Sequence, residues 1–225
     1  MTKFSLLSGN ALKLIAAAAM LVDHAGLMFF PGNDCFRILG RLAFPIFAYM
    51  IAEGSKYTRS RKRYFSQLFA LAAVCQIVYF LVDGSLYLSV LVTFSLALVM
   101  IFALQDLKAA PSWKTGLLFA AAVGCVFLLN EAFTIDYGFW GCMVPLFAAA
   151  PHSTRLDSKY ASIAALGVGL LILAFSLGGW QIWSLAAVPV LLLYSGQRGK
   201  WRMKYFFYIF YPTHLAALQV LAWLF

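Results

Sequence analysis

Charge is what this sequence lacks most. Of its 225 residues only 11% are charged while 64% are hydrophobic, and the mean hydropathy is +0.86. Soluble domains carry about 25% charged and about 45–50% apolar residues. So few charges cannot clothe that much apolar bulk in water, which excludes a soluble enzyme or a nucleic-acid module. Acidic residues are scarcer still, eight against seventeen Lys and Arg. There are four cysteines, Cys35, Cys75, Cys125 and Cys142. None forms a CxxC pair or stands at zinc-finger spacing from a histidine, so no metal site is expected. In apolar runs such cysteines pack as small hydrophobes. Linkers, low-complexity tracts and internal repeats are lacking too, so residues 1–225 read as a single domain.

What is present is a series of long apolar runs. In lipid only helices and closed barrels satisfy their backbone polar groups. The runs are continuous and lack the ten-residue alternation of barrel strands, so the fold class is all-α, a polytopic helical membrane protein. About nine spans are expected, near 11–30, 36–54, 64–82, 86–105, 115–130, 136–150, 160–177, 180–194 and 206–225. At about 20 residues per span they use roughly 180 residues and leave no room for a soluble domain. The sixth and eighth are short. Lys3 before the first run suggests a signal peptide, but Asp23-His24 interrupts it and no small-residue cleavage site closes it; it is kept as the first span.

The net charge of +9 follows from topology. Lys56, Arg59, Arg61, Lys62 and Arg63 follow span 2; Lys108 and Lys114 follow span 4; Arg155 and Lys159 follow span 6; Arg198, Lys200, Arg202 and Lys204 follow span 8. The alternate loops, Pro31–Cys35, Asp83–Ser85, Asn130–Ile135 and Gly178–Gly179, contain no Lys or Arg. With Lys3 and Lys13, fifteen of the seventeen basic residues fall on one side. The positive-inside rule then puts the N-terminus in the cytoplasm and the C-terminus outside. In a bacterium this is a multi-pass protein of the cytoplasmic (inner) membrane.

Arg37 and Arg41 are the exceptions. They sit at the outer end of span 2, four residues apart and on one face. Intramembrane ionisable groups are costly, which makes them functional candidates with a partner to be found. The bland alternative is a structural ion pair with Asp34 or Asp23. Span 1 carries Lys13, Asp23 and His24. The eleven residues from Lys13 to His24 make three turns, which puts both on one stripe about 16 Å apart. Asp23 points about 100° away from His24 and is expected to meet an arginine of span 2. An isolated histidine there also suits a purely structural hydrogen bond. In the last span Tyr211 and His214 face the same way, and Pro212 between them is expected to kink the helix. Asp136, opening span 6, either faces the same outer cavity or caps the helix. Glu53, beside the basic loop, reads most simply as part of a surface ion pair. Aromatic residues at predicted span ends, such as Trp140, Trp180 and Trp223, serve as interfacial anchors. The polar groups together suit a transfer from an anionic cytoplasmic donor to an acceptor on the other side, and equally an anion transporter.

Several blocks bear on that choice. They are SGNALKLIA from Ser8, then Met20 to Gly26 with Asp23-His24, then GRLAFPIFAYMIAEG from Gly40 with Tyr57-Thr58-Arg59. Asp136-Tyr137-Gly138 with Gly141, and Tyr211-Pro212-Thr213-His214, follow in order. In these blocks the chain resembles the TraX family, membrane proteins associated with N-terminal acetylation of conjugative pilin. That family is similar to wider transmembrane acyltransferases, which carry a basic residue, ten intervening residues and a histidine in an early span. Lys13 and His24 match that pattern, with Lys where Arg is usual; a Lys cannot clamp a phosphate bidentately. The resemblance implies acetyl transfer from cytoplasmic acetyl-CoA to an amine or hydroxyl outside, with no metal. It implies Lys13, Lys56 and Arg59 near the nucleotide phosphates, with Glu53 and Tyr57 beside them. His24 would be the general base, with an acetyl-histidine intermediate left open. Arg37 or Arg41 would stabilise the tetrahedral intermediate or neutralise Asp23. Asp136, Tyr211 and His214 would support the site or position the acceptor. The implied partners are acetyl-CoA, the lipid bilayer and pilin or another extracytoplasmic acceptor, with no nucleic acid. An anion permease and a non-catalytic pilus assembly factor remain the alternatives.

Overall fold

The computed structural model describes residues 6–84, 86–200 and 203–224. Lys3, Ser85 and Arg202, used in the loop inventory above, lie outside the described residues. Among the described residues the named elements are all helices, in the order α1 (Gly9–Phe29), α2 (Asp34–Gly40), α3 (Ala43–Tyr57), α4 (Arg61–Asp83), α5 (Val90–Ala109), α6 (Trp113–Ala132), α7 (Gly138–Ala149), α8 (Lys159–Leu177), a 3₁₀ segment (Gly179–Ala186), α9 (Ala187–Leu192) and α10 (Lys204–Leu224). Seven helical units are long and apolar enough to cross a membrane, α2 and α3 together counting as one; Gly138–Ala149 and Gly179–Leu192 are shorter. The polytopic all-α reading holds.

Polar caps start several helices where the sequence supplies them. The hydroxyls of Ser8, Ser60, Ser112 and Ser158 each accept an N–H of the first turn that has no helical partner. Prolines explain two departures from the expected spans. The second span divides at Arg41-Leu42, because Pro45 has no N–H for the Arg41 carbonyl and its ring crowds that group. Pro189 stands in the first turn of α9 in the same way, and the preceding eight residues wind as a 3₁₀ helix. A 3₁₀ helix rises about 2.0 Å per residue against about 1.5 Å, so this 14-residue segment reaches further than its length suggests.

The centre of the bundle holds α3, α5, α7 and α8, where Tyr49, Leu98, Met100, Ile101, Leu166 and Leu170 are fully buried. Helix α1 packs against α2, α3 and α10, and α4 bridges α5 and α10. Helix α6 lies at the edge, with Val126 its one buried residue.

The contacts sort the loops into two ends. At one end Lys56 pairs with Asp157 at 2.6 Å and Arg61 with Asp106. There too Lys108 Nζ donates to the carbonyls of Ala150 and His152, and Lys159 Nζ to those of Leu192 and Tyr194. The start of α1 is tied to the same end, Gly9 and Asn10 donating to the carbonyls of Gln197 and Arg198. At the other end the loop before α5 pairs with the loop before α7, Leu88 N–H donating to Thr134 and Asp136 N–H to Leu88. The described basic loops thus gather at one end, and the loops without Lys or Arg at the other.

Candidate functional site

A cavity of about 630 Å³ occupies the end away from the basic loops. Asp23 and His24 enter it from α1, Arg37 from α2, Arg41 from the α2–α3 break, Asp136 from the segment before α7, and Tyr211 from α10. Asp23 holds both arginines. Arg37 Nη1 donates to Oδ1 at 3.0 Å, and Arg41 Nη2 reaches Oδ2 at 3.3 Å. Of the two carboxylates weighed as partner, it is Asp23 that fills the role. The approach is close because Gly40 has no side chain; a Cβ there would overlap the Asp23 carboxylate. Gly26 likewise admits Phe36, so α1 and α2 meet nearly backbone to side chain. Two cations and one anion leave this cluster with a net positive charge.

Arg41 is fixed on its far side as well. Its Nη1 donates to Gln181 Oε1 at 3.1 Å, and its guanidinium lies 5.9 Å from the centre of the Tyr137 ring. Gln181 is buried in the 3₁₀ segment, which is how a short, irregular element serves the site.

Asp136 lines the cavity instead of capping α7. The residue before that helix is Tyr137, in the left-handed region at φ 61°, with no side-chain cap. A bulky residue there is strained; the ring is held by stacking on Phe44, centroids 4.0 Å apart. Asp136 accepts the Tyr87 hydroxyl at 2.8 Å.

His24 and His214 join α1 to α10 at the site. His24 Nδ1 lies 3.0 Å from His214 Nε2. The rings are within 11° of parallel with centroids 5.2 Å apart. That exceeds the nitrogen separation by about two ring radii, so the rings meet edge to edge and in line. His214 Nδ1 lies 2.9 Å from the Phe210 carbonyl, one turn earlier in α10. His24 lines the cavity, and His214 stands behind it.

A second cavity, about 200 Å³, lies toward the basic end and is lined by Asn10, Lys13, Tyr64, Arg198 and Phe207 among others. Met20, Phe47, Phe94 and Tyr211 line both cavities, so the two abut there. The stripe from Lys13 to His24 therefore runs from one cavity into the other along a continuous helix.

Four expected donor-side residues are not brought to Lys13. Lys56, Glu53 and Tyr57 line a separate cavity of about 120 Å³ with His152, Asp157 and Tyr194. Lys56 is held there by its ion pair to Asp157. Arg59 is exposed and lines none of the cavities described. Among the described residues, the cation that joins Lys13 is Arg198. Sequence reading passed over it because topology already explained a basic residue in that loop. Gln181 and Tyr87 were also missed; nothing local marks a glutamine or tyrosine in an apolar stretch as a site residue.

Comparison with known proteins adds the family. The model of the family described as TraX protein matches residues 8–222. The chain is 27% identical over a 242-residue alignment, covering 94% of each chain, to the "Probable fimbrial assembly protein FimC, serogroup H1" of Dichelobacter nodosus. It is 26% identical over 223 residues to "Protein TraX" of Escherichia coli, covering 95% of this chain and 86% of that one. No solved structure matches.

Proposed function

The chain belongs to the TraX family, and on that premise we propose that it is a membrane-embedded acetyltransferase. It moves an acetyl group from cytoplasmic acetyl-CoA to an amine presented at the other side; a pilin-type N-terminus is the acceptor that the family resemblance implies, and one relative is named a fimbrial assembly protein. The single observation that carries this reading is the pair of abutting cavities, with Lys13 in one and His24 in the other. A donor with an anionic head and a long thin arm suits that shape. Its phosphates lie against Lys13 and Arg198, and its thioester reaches His24 past Met20 and Tyr211. The acceptor occupies the larger cavity.

The chemistry follows from those positions. The amine nitrogen attacks the thioester carbonyl carbon while His24 takes its proton, an imidazole being suited to both accepting and returning a proton near neutral pH. Negative charge develops on the carbonyl oxygen, and the net positive Asp23–Arg37–Arg41 cluster opposes its cost. The intermediate collapses with cleavage of the carbon–sulfur bond. The imidazolium returns its proton to the departing thiolate, which leaves free coenzyme A and an acetylated acceptor.

Purified protein with labelled acetyl-CoA is expected to label an acceptor peptide, and His24→Ala to abolish transfer without lowering protein yield. Lys13→Ala is expected to raise KM for acetyl-CoA more than it lowers kcat. Normal transfer by His24→Ala would remove the imidazole from the chemistry. Absence of both labelling and thermal protection by acetyl-CoA would leave an anion permease or a non-catalytic assembly factor as the reading.

A further inference from the structure

The His24–His214 contact determines which nitrogen of His24 is presented for chemistry. A carbonyl oxygen can only accept a hydrogen bond. The 2.9 Å contact from His214 Nδ1 to the Phe210 carbonyl therefore places a proton on Nδ1 of His214. With both rings neutral, His214 Nε2 then carries a lone pair and no proton. The 3.0 Å contact to His24 Nδ1 is a hydrogen bond only if His24 donates it. That puts the His24 proton on Nδ1 and leaves Nε2 bare.

We infer that His214 is a positioning residue that locks His24 in its Nδ1–H tautomer, so that the unprotonated Nε2 faces the outer cavity. Three features of the structure support the assignment. The two rings are nearly coplanar and in line, the arrangement a directed N–H···N bond requires. His24 lines the outer cavity, whereas His214 does not and has the Phe210 ring stacked parallel to its own at 4.9 Å. Finally, the two histidines lie 190 residues apart in the chain, on α1 and α10, so the pairing also joins the first and last helices across the site.

Pro212 belongs to the same device. It has no N–H to give the Tyr208 carbonyl, and α10 is nonetheless continuous through it. The turn around it is closed by side chains, Thr213 Oγ1 donating to the Ile209 carbonyl at 2.7 Å and His214 Nδ1 to that of Phe210. Phe210 thus supplies the acceptor that orients His214, one turn before it, and the Tyr-Pro-Thr-His run that follows supplies the side-chain closure that keeps it in place. A histidine oriented by a fixed acceptor and handing that orientation to a second histidine does the work that a carboxylate does in hydrolase triads, with no charge added to the membrane interior.

The inference rests on the acetyltransferase reading only for its activity arm, and its first test is independent of activity. The chain has three histidines, so ¹⁵N-histidine-labelled protein in lipid nanodiscs gives few signals, assignable from single substitutions. His24 is expected to show a protonated Nδ1 and a bare Nε2. In His214→Phe that pattern is expected to shift toward the Nε2–H form, and in His214→Gln, whose amide oxygen can accept from Nδ1, to persist. In the activity arm, His214→Phe is expected to lower kcat by about 100-fold or more with KM for acetyl-CoA unchanged, the scale of a lost proton-transfer group. His214→Gln is expected to restore most of that loss. A protonated Nε2 on His24 in the unmodified protein would overturn the inference, as would a tautomer that ignores His214→Phe. If the tautomer pattern is as expected but no acetyl transfer is detected, the positioning role stands and the enzymatic reading alone fails.

Discussion

At the scale of single residues, the site depends on one carboxylate balancing two guanidinium groups. Asp23 and Arg41 are nearly buried, with side chains 13% and 12% exposed, while Arg37 is 29% exposed. Removing the anion leaves two cations facing each other with little water to screen them. Breaking a buried pair from one side typically costs about 3–5 kcal/mol, and the partial exposure of Arg37 puts this case toward the lower end. Asp23→Asn is therefore expected to destabilise the protein by roughly 3 kcal/mol, read as a drop in thermal unfolding temperature in detergent. Adding Arg37→Gln to that variant is expected to recover part of the loss, because a single arginine then remains near a neutral amide. Equal unfolding temperatures for the unmodified protein and Asp23→Asn would show that the ion pairs carry no stability. The Asp23 pairing was legible from helix geometry, since a residue 100° off the His24 stripe faces the neighbouring span. Its second partner and the Gln181 contact were not, because both depend on where the helix breaks.

At the scale of elements, the all-α, polytopic character and the order of the helical runs could be read from apolar length and from the loops that carry Lys and Arg. What could not be read was the winding inside the runs. Apolar composition is indifferent to whether a buried segment is α or 3₁₀, and the signal that mattered, a proline four residues after Arg41, was overlooked among residues that all favour lipid. The turn after α7 shows a further interaction that sequence does not reveal. His152 is 4% exposed, and its Nδ1 has no hydrogen-bond partner among the described residues. Burial, with Lys56 of α3 and Lys108 of α5 nearby, pushes its imidazole down to about 4 against the opposing pull of Asp157. The fold therefore holds it neutral. Its contribution is fully present above about pH 6.5, where the unfolded chain is neutral too. It is lost progressively as pH falls toward 4, because the unfolded chain takes up a proton that the folded one refuses. The unfolding temperature is expected to decline between pH 6.5 and 4, with a shallower slope in His152→Asn. Parallel slopes for the two proteins would assign the acid sensitivity elsewhere.

At the scale of the whole molecule, the proposed reaction requires the two cavities to open toward opposite compartments, with the basic end in the cytoplasm. The charge distribution predicts the direction, since loops rich in Lys and Arg favour the cytoplasmic side, and the contacts bring the described basic loops to one end. The molecule carries its own probe of the other end. Cys35 is exposed in the first turn of α2, close in sequence to the arginines, whereas Cys75 and Cys142 are buried and Cys125 lies on the outward face of α6. A membrane-impermeant thiol reagent is therefore expected to label the protein in right-side-out vesicles at Cys35, with the signal abolished in Cys35→Ala. A cysteine placed at exposed Ser153, in the turn that Lys108 and Asp157 hold at the basic end, is expected to react only after the membrane is opened. That second reporter is best read in the Cys35→Ala background, so that each label reports one end. The reverse pattern would turn the molecule over, placing His24 and the arginines in the cytoplasm. Acetyl-CoA would then meet the larger cavity first, and an extracytoplasmic acceptor would have to reach the imidazole through the narrower one. The cavity volumes alone fit that direction poorly, because about 200 Å³ accommodates a thin arm better than a peptide end and its flanking residues.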